Sequence, residues 1–241
     1  MWAIVPIKSL ESAKRRLADV LTPDERRALM LAMARDVLTA LARCQSLAGV
    51  LIVSRTSEAD ALAQAFGTER FTESPDADLS AALTQAAEYL KEHLHARGVM
   101  IVPADVPLIS PEEIDQIMAG HEAVTLMPDD EHLGTNGLIS TPPDRIAFRF
   151  DGRSFKPHAD AAFAAGAPPR IIPSSSFALD VDTPDDLRAL LERGPASQTA
   201  HFLEKSGIAE RLAGSRRLAE PTPSSATDEG LTSEASSGPH S

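Results

Sequence analysis

The chain has 241 residues, 43% hydrophobic and 24% charged, an ordinary globular profile with room for a sizeable core. Its 23 basic and 35 acidic residues give a net charge of −12, which excludes a generic footprint for nucleic acid or an anionic membrane surface. The lone cysteine, Cys44, rules out an intramolecular disulfide framework and a Cys₂His₂ zinc site. A phosphate ligand would need the scarce basic residues clustered.

The apolar run at the N-terminus ends at Pro6, too short for a signal peptide, and no run of about 18 apolar residues follows. A cytosolic location is therefore expected. The first strand is predicted over 2–5. Thr22-Pro23-Asp24-Glu25 opens a helix, with Thr22 as N-cap, Pro23 at the first helical position and Glu25 closing a capping box. Leu29, Met33, Val37 and Leu41 recur every four residues and mark its buried face. The apolar run 49–54 predicts a strand, 57–66 a helix, 69–72 a weak strand, and 79–95 a longer helix.

Residues 99–102 form the next expected strand, ending at Pro103-Ala104-Asp105. Ser110-Pro111-Glu112-Glu113 repeats the helix start, with Glu113 expected to close the box. A strand is predicted over 123–127. The stretch 128–176 is less regular and richer in Gly and Pro. Thr183-Pro184-Asp185-Asp186 opens a late helix running to about 193. The final 28 residues, 214–241, hold no Val, Ile, Phe, Met or Trp, and Ser, Thr, Pro and Gly supply 16 of them. Such a segment buries too little apolar surface to offset its ordering entropy, so a disordered tail is expected after a single domain over 1–213. Alternating strands and helices with continuously apolar strands predict an α/β fold, a mostly parallel central sheet with helices on both faces. Ligands of such sheets sit beyond the strands' carboxyl ends.

Four segments there could carry chemistry. Lys8, Lys14, Arg15 and Arg16 fall within nine positions after the first strand. They could wrap a polyphosphate, although GxxxxGK[ST] is absent and a solvated basic turn fits equally well. Asp105 between Pro103 and Pro107 is either a metal ligand or an Asx-turn. Asp180 and Asp182 point the same way in an extended chain and suit a hard divalent cation, whereas Asp185 and Asp186 read as first-turn helix residues. Gly134-Thr135-Asn136-Gly137-Leu138 and Phe150-Asp151-Gly152-Arg153-Ser154 could offer backbone N–H groups and hydroxyls to an anion, or be two turns. With one Trp and one Tyr, stacking of nucleic-acid bases is not the expected mode of binding.

VPIKxxxxAKxRL after the first strand, PADVPL, GTNGL, SFxxH and LDVDTPDDL, in this order, resemble the CofC/FbiD guanylyltransferases of coenzyme F420 biosynthesis over about residues 1–210. The opening and closing motifs are shared more loosely with the MobA-like nucleotidyltransferases. The resemblance implies a Rossmann-like nucleotidyltransferase fold. It implies GMP transfer from GTP to the phosphate of 2-phospho-L-lactate, phosphoenolpyruvate or 3-phospho-D-glycerate, with release of pyrophosphate. By motif, Lys14 and Arg16 would hold GTP phosphates with Lys8 nearby, and Leu79 and Ser80 would lie at the nucleotide. Asp105, Asp180 and Asp182 would coordinate Mg²⁺, and Thr135, Gly152 and Ser154 would line the acceptor pocket. Lys14, Arg16 and Asp105 would be the catalytic set. Ala77-Asp78-Leu79-Ser80 departs from the Gly-Leu-Asn triplet frequent in the family, and Asp151 stands where Gly is frequent. The alternatives are a MobA-like transferase with another phosphorylated acceptor and a non-catalytic nucleotide-binding module. A homodimer is open by base rate alone.

Overall fold

The computed structural model describes residues 1–8, 14–173 and 175–219. Among the described residues seven strands form one sheet: β1 (Trp2–Pro6), β2 (Gly49–Ser54), β3 (Glu69–Thr72), β4 (Val99–Ile101), β5 (Val124–Pro128), β6 (Thr135–Ser140) and β7 (Arg170–Ile171). Their order is β3-β2-β1-β4-β6-β5-β7. The pairs β1–β2, β1–β4, β2–β3 and β5–β7 are parallel, and β6 runs antiparallel to both β4 and β5.

The antiparallel strand has a simple cause. Only residues 129–134 join β5 to β6, whereas a parallel return needs a crossover of roughly a dozen residues or more. The Asp129 carboxylate fastens this short connection, accepting from the backbone N–H groups of Leu133 (2.8 Å) and Gly134 (2.7 Å). Gly134-Thr135-Asn136-Gly137-Leu138 is therefore the last loop position and the start of a buried strand, not a turn.

Strand alternation sorts the core into two layers. Ala3, Val5, Val50, Ile52 and Met100 face one cluster, and Ile4, Leu51, Val53, Val99 and Ile101 face the other. Burial on both faces explains the unbroken apolar strands. The first layer is covered by α1 (Pro23–Arg43), α2 (Ser57–Phe66), α4 (Pro111–Ala119), α7 (Pro184–Arg193), α8 (Gln198–Lys205) and α9 (Ile208–Ala219). The second is covered by α3 (Leu79–His93) and α5 (Phe155–Ala164). A one-turn helix, α6 (Ser175–Ala178), precedes the acidic segment at 180–186.

The caps behave as their residue types dictate. Thr22 with Glu25, and Thr183 with Asp186, form complete capping boxes. Ser110 accepts from Glu113 N, but the return bond is missing because the Glu113 carboxylate turns to Ser176 instead. The structure extends past the domain end expected at 213: α9 continues to Ala219, with Leu212 buried in the core. The rest of the expected tail, 220–241, lies outside the described residues. Among the described residues no helix is long and apolar enough to cross a membrane.

The strand order reverses between β1 and β4, since β2 and β3 extend the sheet on one side of β1 and β4 on the other. This switch point leaves a crevice beyond the carboxyl ends of β1 and β4. Because β6 is antiparallel, its first residues, Thr135 and Asn136, reach the same edge.

Candidate functional site

A cavity of about 650 Å³ opens at this edge. Lys8 enters from the end of β1, with Lys14 and Arg16 from the turn that follows. Leu79 comes from the start of α3, Asp105 from the loop after β4, and Thr135 from the start of β6. Gly152 and Ser154 precede α5, and Asp180 and Asp182 precede α7. All the residues expected at a site therefore line one cavity, except Ser80. The Ser80 hydroxyl accepts from the Phe150 backbone N–H at 2.9 Å, and the wall is formed by Phe150. Residues 9–13 of the first motif lie outside the described residues.

Local chain geometry brings the acids together. The Val181 N–H donates to the Asp105 carbonyl at 3.0 Å, stitching the two acidic loops to each other. Val181 is fully buried, so its neighbours Asp180 and Asp182 turn to the cavity by simple alternation. Asp185 and Asp186 stay with the helix: Asp186 accepts from the N–H groups of Asp182 and Thr183, and Asp185 pairs with Arg188.

Lys14 was expected to face phosphates, and its ammonium is committed differently here. Nζ lies 2.7 Å from Asp105 Oδ2 and 2.5 Å from Asp182 Oδ1, with the side chain 5% exposed. Burial alone would lower its pKa. The two carboxylates more than reverse that and hold it above the ordinary lysine value. Its backbone is left-handed (φ 54°), an unfavourable conformation for a side-chain-bearing residue that points Lys14 inward. Lys8 and Arg16 are exposed and make no ion pair among the described residues.

Three carboxylates against one buried ammonium leave the cluster short of positive charge. Asp180 registers this: burial raises its pKa, and repulsion from Asp105 and Asp182 raises it further, against the pull of the Asn136 hydrogen bond. Asn136 donates from one amide nitrogen to Asp180 Oδ1 (3.1 Å) and to the Phe177 carbonyl (2.9 Å), so it orients that carboxylate. Hard oxygen donors with excess negative charge fit Mg²⁺. Among the described residues no three His, Cys, Asp or Glu side chains close on one point, so a cation here would take part of its shell from water and phosphate oxygens.

The opposite wall carries Thr135, Gly152 and Ser154, with the carboxylates of Asp129 and Glu131 on the β5–β6 connection beside them. Gly152 sits at φ +86° with open space where a Cβ would lie, a left-handed position that favours glycine. Ser154 is the N-cap of α5 but caps nothing with its side chain. Asp151 does not line the cavity; it pairs loosely with Arg149 at 3.8 Å and accepts from the Arg153 N–H. Asp129, Glu131, Asn136 and Phe150 also line the cavity and were not expected there. Asn136 and Phe150 stood inside segments singled out by sequence, whereas the two acids carry no local signal. Burial, with Asp115 and Glu112 adding, pushes the Cys44 thiol up to about 12, away from the thiolate form.

The family model described as "Guanylyl transferase CofC like" matches residues 1–219. A phosphoenolpyruvate guanylyltransferase of Conexibacter woesei is 35% identical over 213 residues, covering 85% of this chain and 95% of that one. A 2-phospho-L-lactate guanylyltransferase of Methanobrevibacter ruminantium is 32% identical over 221 residues, covering 86% and 92%. Among solved structures, a nucleotidyl transferase of Methanothermobacter thermautotrophicus superposes with a TM-score of 0.58 at 15% identity, covering 85% of this chain and 98% of that one; it shares the fold. The motif order, the cavity they build and these matches agree: the chain belongs to the CofC-like guanylyl transferase family.

Proposed function

We propose that this chain transfers GMP from GTP to the phosphate of a small phosphorylated carboxylic acid, releasing pyrophosphate, as a step in coenzyme F420 biosynthesis. The observation that carries this reading is one cavity with three chemically distinct walls. Exposed cations, Lys8 and Arg16, line one part, an under-neutralised carboxylate cluster another, and two hydroxyls and a glycine, beside Asp129 and Glu131, the third.

The reaction needs little covalent help from the protein. An oxygen of the acceptor phosphate, already anionic near neutrality, attacks the α-phosphorus of GTP. A new P–O bond forms as the bond to the bridging oxygen of the β-phosphate breaks, and pyrophosphate carries the electron pair away. No general base is required. The barrier is the approach of two polyanions, so catalysis rests on positioning and charge stabilisation.

Lys8 and Arg16 would take the β- and γ-phosphates, the Arg as a fork and the Lys as a point charge. The apolar side chains of Leu79 and Leu83 at the start of α3 would seat the nucleoside. Thr135, Gly152 and Ser154 would receive the acceptor acid. Carboxylates of the Asp105, Asp180 and Asp182 set, not all three at once in the present arrangement, would hold Mg²⁺, which when bound neutralises phosphate charge and polarises the α-phosphoryl group. Lys14 would leave its two carboxylates for a phosphate oxygen when cation and nucleotide arrive. Its buried ammonium then keeps the cluster together beforehand and supports the departing pyrophosphate afterwards.

The test is pyrophosphate release from GTP with each of 2-phospho-L-lactate, phosphoenolpyruvate and 3-phospho-D-glycerate, with and without Mg²⁺. Release that requires both an acid and the metal supports the reading. GTP binding without release in any combination overturns it in favour of a binding module.

A further inference from the structure

His158, one turn into α5, is 0% exposed and faces two fixed partners. The backbone N–H of Arg149 meets its Nε2 at 2.9 Å. An amide nitrogen only donates, so Nε2 must carry the lone pair, and the single proton of the neutral ring sits on Nδ1. Nδ1 lies 3.0 Å from Thr135 Oγ1. The ring therefore donates and the hydroxyl accepts. The hydroxyl's own proton has no recipient among the described residues, and Thr135 lines the cavity. Desolvation pushes the His158 pKa down to about 4, against a smaller opposing effect of Asp151, which keeps the ring in this neutral form.

We propose that His158 is a positioning residue for the acceptor: by occupying the acceptor side of the Thr135 hydroxyl, it aims that hydroxyl's proton into the cavity as a donor to an anionic oxygen of the phospho-acid. This rests on placing the acceptor at Thr135, Gly152 and Ser154. The same ring also fastens the wall around Thr135. It holds the Arg149 N–H, packs against Phe150 with centroids 4.9 Å apart, and Phe150 is in turn held by Ser80. A purely structural histidine would need only this second role, so the two must be separated.

Two amide substitutions separate them. In His158→Asn the side-chain amide reaches the place of Nδ1 and can still donate to Thr135. In His158→Gln it reaches the place of Nε2, where its carbonyl can accept from Arg149 N–H while offering Thr135 nothing. Melting curves first establish that each variant folds. KM is then measured separately for the phospho-acid and for GTP. His158→Gln should raise the acceptor KM by up to about tenfold, because the Thr135 hydroxyl keeps its proton but loses the partner that aims it, with the GTP KM unchanged. His158→Asn should stay within about threefold of the parent on the same scale. In a Thr135→Val background, His158→Gln should add no further acceptor defect.

If Gln is the better replacement, or if its defect persists undiminished beside Thr135→Val, His158 is structural and the inference fails. If Thr135→Val alone leaves the acceptor KM unchanged, the acceptor placement itself fails. The two failures are therefore distinguishable.

Discussion

Replacing Lys14 by methionine keeps most of the stem's packing and removes one charge. The local balance of the cluster falls from −2 to −3, counting Asp105, Asp180 and Asp182 against the ammonium. Deleting one partner of a fully buried pair costs about 3–5 kcal/mol. Here the lysine side chain is 5% exposed, but Asp105 and Asp182 are 27% and 42% exposed, so water recovers part of the loss. A destabilisation of about 1–3 kcal/mol is expected in urea unfolding without Mg²⁺. The cation would no longer compete with an ammonium, so millimolar Mg²⁺ should raise the variant's melting temperature more than the parent's. With nucleotide, a lost charge-assisted bond worth about 1.5–3 kcal/mol is offset by not having to break two ion pairs, leaving a GTP KM raised about tenfold. An unchanged stability, an unchanged response to Mg²⁺ and an unchanged GTP KM would together refute the ion-pair exchange.

Other expectations follow from the same geometry. Asp105→Asn should abolish turnover with the circular dichroism spectrum preserved, because it removes charge and not shape; parent-like activity at saturating Mg²⁺ would remove Asp105 from the metal set. His158 binds its proton only near pH 4 when folded, against 6.5 in the unfolded chain. The unfolded state therefore takes up more protons between those values, and stability should fall as pH drops from 6.5 to 4, by about 3 kcal/mol in total. Urea unfolding at pH 7 and pH 4.5 would show this as a loss that His158→Asn largely lacks; equal slopes would contradict the neutral buried ring. Removing residues 220–241, beyond the last described helix, should leave kcat and both KM values nearly unchanged, and a large loss would give that segment a part in catalysis.

The legibility of this chain followed the range of the forces involved. Local signals read well: Thr22 and Thr183 cap their helices in complete boxes, and the apolar run at Gly49–Ser54 is the strand β2. Signals that depend on distant partners did not. Ser110 looks like Thr22 in sequence, yet Glu113 prefers Ser176 to the box. The strand β6 carries Asn136 and Gly137 near its start, residues depleted in strands, and is a strand because β4 and β5 bracket it. The helix α8 is held by Asp36, which accepts from Gln198 and Thr199 N–H groups more than 160 positions away in sequence.

The site divides in the same way. Lys8, Lys14, Arg16, Asp105, Asp180 and Asp182 could be named from position and type, whereas Asp129 and Glu131 could not. The commitment of Lys14 to Asp105 and Asp182, 91 and 168 residues away, belongs to the folded chain alone. So does the tautomer of His158, which is fixed by a backbone amide at Arg149.

In the proposed reaction the acceptor's phosphate oxygen attacks the α-phosphorus of GTP. Its most direct test is mass spectrometry of products formed from GTP, Mg²⁺ and a phospho-acid labelled with ¹⁸O in its phosphate. GMP joined to the phospho-acid is expected, with all of the label in that product and none in pyrophosphate. Label in pyrophosphate, or no joined product with any of the three acids while GTP binds, would contradict it.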